Sequence, residues 1–224
     1  MGKKKLLVEG KNDQIVISTL CEKHDIWVKN RGHESKKKPK EKPFAFDCVN
    51  RTSVEQLLDR VAFESELAES DLETMGFVVD ADDNLAGRWQ SVTDRLQECG
   101  FPRAALPSQP DSNGTVIVAP DLPRVGVWLM PDNQLGGKLE DFVKLLIPEA
   151  DDLWPYAQNC VAGIAPTERL FTDVDLIKAQ IHTWLAWRKE PGIPMGVAIT
   201  SRCLDANSPQ AQVFVEWLRR LFEI

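Results

Sequence analysis

Apolar residues recur along the chain as short unbroken runs, separated by longer stretches with helical spacing. Residues 5–8, Lys-Leu-Leu-Val, form a run that ends at Glu9-Gly10 and predicts a buried first strand. Asn12 is placed to cap a helix from residue 13 to about 24, with Ile15, Val16, Thr19 and Leu20 inward. Residues 29–42 turn polar and basic, with Lys36, Lys37, Lys38, Lys40 and Lys42 close together, and predict a mobile loop. Residues 44–49 predict a second strand, and Ser53 is placed to cap a helix running through Leu57, Leu58, Val61 and Leu67. The clearest strand signal is 75–79, Met-Gly-Phe-Val-Val, apolar almost throughout, as a parallel strand covered on both faces would be. It runs directly into Asp80-Ala81-Asp82-Asp83-Asn84, and a helix from about 85 to 99 ends at Gly100.

After a loop rich in proline and small residues, 115–118 and 124–130 predict two further strands. A helix begins near Leu139 and stops by Pro148. The last third changes character: about 149–160, 173–188 and 208–222 have helical spacing and carry Trp154, Trp184, Trp187 and Trp217. Strands alternating with helices, followed by helices alone, predict an α/β fold: a parallel sheet flanked by helices, with a C-terminal helical extension. We expect an α/β domain over 1–147 and the extension over 148–224, packed together as one compact unit.

Composition changes this picture little but excludes several classes. Apolar residues make up 43% of the 224-residue chain, enough for a sizeable core. No apolar stretch approaches the roughly 20 residues that span a bilayer, and the start is too short for a signal sequence, so a cytoplasmic protein with no membrane partner is expected. The five cysteines are scattered with no Cys-x-x-Cys pair, and the three histidines are dispersed, which argues against zinc and against a disulfide framework. A net charge of -7 disfavours a simple basic nucleic-acid binder, although catalytic carboxylates would themselves contribute to it.

Predicted strands end at carboxylates three times: at Glu9, at Asp80 with Asp82, and at Asp132. Ligands of open parallel sheets bind at the carboxyl ends of the strands, so these acids are expected to converge. Asp13 lies four residues after Glu9, on the first turn of a helix at the same edge, and Glu140 and Asp141 open the helix after Asp132. Carboxylates so placed repel one another, and a hard divalent cation with oxygen ligands resolves the conflict. Aspartates and glutamates at helix starts also serve as caps, and for Asp132, Glu140 and Asp141 both readings stay open. Asp83 is expected to point away.

Val8-Glu9-Gly10-Lys11-Asn12-Asp13, followed by a strand ending in Asp80-Ala81-Asp82, resembles the Toprim domain of topoisomerases, bacterial primases and overcoming-lysogenization-defect (OLD) nucleases. The resemblance covers about residues 3–145. Glu9 to Asp13 looks more like the OLD nucleases than the topoisomerases, and the whole chain looks like small stand-alone bacterial Toprim proteins. The resemblance implies one or two Mg²⁺ or Mn²⁺ ions held by Glu9, Asp13, Asp80 and Asp82, with Glu140 and Asp132 or Asp141 at a second ion. It implies a catalytic set of Glu9, Asp80, Asp82 and Lys178, the lysine stabilising transition-state charge. Lys178 also reads as an ordinary solvated lysine. The only tyrosine, Tyr156, has no topoisomerase context, and neither Gly136-Gly137-Lys138 nor Glu9-Gly10-Lys11 is a Walker A loop.

Two functional expectations follow. The first is a metal-dependent phosphodiester-cleaving protein acting on DNA or RNA, with the lysine cluster holding phosphate or simply solvated. The second is a non-autonomous effector subunit that docks on a partner ATPase of a mobile-element or phage-defence system through its tryptophan-bearing helices. Trp184 and Trp187 read as core residues before base-stacking ones. Self-association is left open.

Overall fold

A computed structural model describes residues 2–30 and 42–224. Six strands form one sheet: β1 (Lys3–Val8), β2 (Val28–Asn30), β3 (Phe46–Asn50), β4 (Leu72–Asp80), β5 (Thr115–Ile117) and β6 (Arg124–Met130), in the order β2-β3-β1-β4-β6-β5. Every pairing is parallel except that of β5 with β6. The expected architecture, a parallel α/β sheet between helices with a C-terminal helical segment, is the one observed.

The central strands are apolar on both faces because both faces are covered. Leu6, Val8, Val78, Trp128 and Met130 enter one core; Leu7, Met75, Phe77, Val79, Val125, Val127 and Leu129 enter the other. The second core is closed by α2 (Val54–Leu57), α3 (Arg60–Leu67) and α4 (Leu85–Glu98). The first is closed by α1 (Lys11–Lys23), α5 (Leu139–Lys144), α6 (Leu153–Ala162), α7 (Leu176–Ala186), α8 (Met195–Thr200) and α9 (Pro209–Phe222). Helices from both halves of the chain therefore share one core.

The last helix lies on the middle of the sheet. Gly76 of β4 and Gly126 of β6 stand side by side in register, and their bare backbones receive Leu221. A Cβ on Gly126 would meet Leu221 Cδ2 at 2.4 Å. Trp217 Nε1 donates to the Thr115 carbonyl at 3.1 Å, and Phe222 stacks on Phe46 with ring centroids 4.2 Å apart. Ser208 caps α9 by accepting from the Ala211 N–H, ahead of Pro209 in the first turn.

Local differences have local causes. The first helix begins at Lys11 with Gly10 as its cap residue, so Asn12 lies inside the first turn rather than capping it. Ser53 caps as expected, but the helix breaks at Asp59, whose carboxylate caps α3 by accepting from the Ala62 N–H. Lys29 and Asn30, expected as the start of a loop, belong instead to the short edge strand Val28–Asn30 that pairs with β3. Helix α8 is absent from the expected elements because its six residues carry no full period; it packs so tightly on α1 that a Cβ on Gly196 would meet Ile15 Cγ2 at 2.5 Å. Lys36, Lys37, Lys38 and Lys40 lie outside the described residues, while Lys42 pairs with Asp25. Among the described residues no helix is long and apolar enough to cross a membrane.

Replacing Gly126 by valine should force Leu221 off the sheet. Urea unfolding is expected to show a loss of about 1–3 kcal/mol, typical of overpacking, and an unchanged midpoint would mean that α9 is not held there.

Candidate functional site: an acidic cleft at the carboxyl edge of the sheet

Parallel pairing of β1 with β4 brings Glu9 beside Asp80, although 71 residues separate them. Glu9 Oε1 accepts a hydrogen bond from the Asp80 N–H at 2.7 Å. Asp80 Oδ1 in turn accepts from the Leu139 N–H at 3.1 Å, which anchors the start of α5 above the end of β4. Glu140, the next residue, is thereby buried at the same place, and so is Asp13 on the first turn of α1. Asp13, Asp80 and Glu140 line a cleft of about 320 Å³ together with Lys138 and Lys178. Lys178 reaches it from α7, and neither lysine makes an ion pair within the described residues.

The carboxyls are held in conflict. Burial, reinforced by the charges of Glu9, Asp13, Glu140 and Asp82, raises Asp80 from 3.8 to about 9. Burial raises Glu9 from 4.5 to about 7, against the pull of the Asp80 N–H, and Asp13 adds repulsion. Burial likewise raises Asp13 from 3.8 to about 6, with Glu140 adding to it. The protons belong to the cluster as a whole, since these groups titrate against one another.

Asp82 stands at the border of this cleft. Its backbone is left-handed, with φ +49°, and its N–H donates to the Gly137 carbonyl at 2.9 Å. Gly136 is required there, because a Cβ would lie 2.5 Å from the Asp82 carbonyl oxygen. The Gly136-Gly137 pair thus lets the 136–141 segment close on the end of β4. The half-exposed Asp82 carboxylate pairs with Arg88 of α4 at 2.7 Å and lines two further grooves.

The other two expected acids are not brought into the cleft. Asp132 Oδ1 accepts from the N–H groups of Gln134 and Leu135, closing a local turn after β6. Asp141 Oδ2 accepts from the Lys138 N–H at 2.9 Å, a capping contact, and lines the neighbouring groove. Conversely, Lys138, Asp175 and Arg88 belong to the site or its border and were not singled out from the sequence. Lys138 directly follows the Gly136-Gly137 pair. Arg88 carried no signal, because nothing in its spacing says which way it turns.

An all-oxygen donor set of crowded carboxylates suits a hard divalent cation such as Mg²⁺ or Mn²⁺. Asp13, Asp80 and Glu140 in the cleft, with Glu9 and Asp82 beside it, are the residues that could hold one. Among the described residues, no three aspartate, glutamate, histidine or cysteine side chains form a preformed metal cage.

Fold and site together define a mostly parallel α/β protein with a carboxylate cleft where the central strands end. The chain belongs to the family described as a protein of unknown function (DUF3226), whose model matches residues 3–223. No curated protein and no solved structure matches it.

The raised carboxyls set a pH dependence of stability. Asp80 is ionised in the unfolded chain above about 4 but protonated in the folded one up to about 9, so folding loses stability as pH rises through that window. Glu9 and Asp13 act in the same direction up to about 7 and about 6. Carboxyls held low, such as Glu69 beside Lys3 and Lys5, weaken the fold only as pH falls below the ordinary carboxylate range. In chelator, thermal stability should decline between pH 5 and pH 8. Asp80→Asn should flatten that decline and stabilise the protein at pH 8 by about 1 kcal/mol or more; a destabilised Asp80→Asn would contradict the electrostatic account.

Proposed function

We propose that this protein is a Toprim-type, divalent-metal-dependent phosphodiesterase acting on DNA or RNA. The observation that carries the reading is one cleft in which carboxylates from three chain segments, Asp13 and Glu140 among them buried, meet two lysines that make no ion pair among the described residues. Carboxylates suit the cation and lysines suit a phosphate, and phosphodiester chemistry needs both side by side.

A bound Mg²⁺ or Mn²⁺ would supply an activated water and neutralise charge on the leaving oxygen. Asp80, Asp13 and Glu140 would hold the ion within the cleft, and Asp82 at its border. Glu9 is oriented through Oε1 by the Asp80 N–H, which leaves Oε2 for the ion or for a proton from the attacking water. Lys178 and Lys138, from separate elements, would fix a phosphate and offset the charge that builds on it. Asp132 is left with its turn contacts and Asp141 with its capping contact.

A second reading, the effector subunit that docks on a partner ATPase, draws on a different surface. Tyr156, Ile164, Leu170 and Val174 are exposed apolar side chains on and after α6. The tryptophans expected to form that surface mostly do not: Trp184 and Trp217 are fully buried, and Trp154 packs against Trp184. Burial also removes Trp184 from base stacking; Trp187 alone of the pair reaches the surface. Co-purification with an ATPase would favour this reading.

Two measurements test the first reading. Mn²⁺ or Mg²⁺ should raise the melting temperature, and more at pH 8 than at pH 5, because the ion competes with protons for the same oxygens. The protein should cleave DNA or RNA oligonucleotides when Mg²⁺ or Mn²⁺ is present, Asp80→Ala with Asp82→Ala should abolish cleavage, and Lys178→Ala should slow it about 10- to 1,000-fold. No metal-induced stabilisation, or no cleavage of single- or double-stranded DNA or RNA, rejects it.

A further inference from the structure

Arg88 is a cation in direct contact with the acidic cluster, and its bonding is incomplete. Its Nη2 donates to Asp82 Oδ2 at 2.7 Å. Its Nε is buried and has no hydrogen-bond partner among the described residues. Nε and Nη2 lie on one edge of the guanidinium plane, where arginine offers two parallel donors to a pair of oxygens on one carboxylate or phosphate. Asp82 fills half of that edge. Most buried donors find partners, so an open half next to a cluster of acids calls for an explanation.

The surroundings favour an exchange. Arg88 and Asp82 both line a groove of about 710 Å³ that runs between α4 and the α2–α3 segment, and Asp82 also lines the groove beyond. The Asp82 backbone is fixed by its bond to Gly137, while its carboxylate is half exposed. A partly exposed ion pair is weakly held, so another partner can displace it without disturbing the chain. The charge of Arg88 also reaches Glu9.

We propose that Arg88 is the exchangeable counter-ion of the site. It neutralises Asp82 while no metal is bound, and when a divalent cation takes Asp82, the Nε–Nη2 edge turns to two oxygens of a substrate phosphate. The inference rests on the phosphodiesterase reading and gives the site a phosphate-binding group besides Lys138 and Lys178. It also sets apart two roles for one residue, because Arg88 competes with the metal and supports the substrate.

That opposition supplies the test. Mn²⁺ binding to the full chain is measured by calorimetry with no nucleic acid, and binding of labelled oligothymidylate and oligouridylate is measured by fluorescence anisotropy with Ca²⁺ present. Arg88→Gln should bind Mn²⁺ as tightly as the unaltered protein or up to about fivefold more tightly, and should bind the oligonucleotide that the unaltered protein prefers about tenfold or more weakly. Arg88→Lys, which keeps the charge but not the paired donors, should recover only part of that loss. Weaker Mn²⁺ binding in both folded variants, or unchanged oligonucleotide binding in either, would show Arg88 to be a prop for Asp82 and overturn the proposal. If the unaltered protein binds neither Mn²⁺ nor oligonucleotide, the phosphodiesterase reading falls and this inference with it.

Discussion

Asp80 stands where three separate segments of the chain meet. Its N–H donates to Glu9 at the end of β1, and its carboxylate accepts from Leu139 at the start of α5. Through those two bonds the ends of β1 and β4 and the beginning of α5 are held at one point, and Asp13 and Glu140 are carried in with their helices. The bonds do not neutralise anything. Each brings another acid toward a carboxyl that burial already raises, and burial and these charges together push it to about 9. A fold selected for stability alone would not collect carboxylates in this way, and perturbed acids gathered in a cleft are what functional sites need.

Two glycine pairs make the closeness of these segments feasible, by the same means and for different ends. Gly76 and Gly126 remove side chains from the middle of the sheet, so that Leu221 can rest on the backbone and α9 can cover the central strands. Gly136 and Gly137 remove side chains beside Asp82, so that the segment leading into α5 can pair with it. The first pair builds the core under the site and the second closes the site's rim. A Cβ on Gly126 would lie 2.4 Å from Leu221 and one on Gly136 2.5 Å from the Asp82 carbonyl oxygen, nearer than packed atoms can approach.

The C-terminal helices do more than cover the sheet. Tryptophans 184 and 217 are buried in the same core as β1 and β6, Asp151 receives bonds from both Trp184 and Arg188, and Lys178 on α7 lines the acidic cleft. Cleft and core are therefore coupled through one helix, with its buried face holding the fold and its exposed edge meeting the acids.

Among the described residues, five of the six strands and the longer helices were legible from the sequence, because a strand buried on both faces must be apolar throughout and a helix must repeat every three to four residues; β2 and α8 are too short to show either pattern. The acids Glu9, Asp80 and Asp82 were legible for the related reason that a charged residue directly after such a strand has to lie at its carboxyl edge. Glu140 was separated from Asp132 and Asp141 only by the tertiary structure. All three follow strand or cap signals in the sequence, but which carboxylate faces inward depends on the bond from Leu139 to Asp80, between residues 59 apart. Lys138 and Arg88 were decided there as well, since a polar side chain has no periodicity to reveal its direction. The sequence by itself determined which chemistry stands at the strand ends; only packing of distant segments decided which of those groups share a cleft.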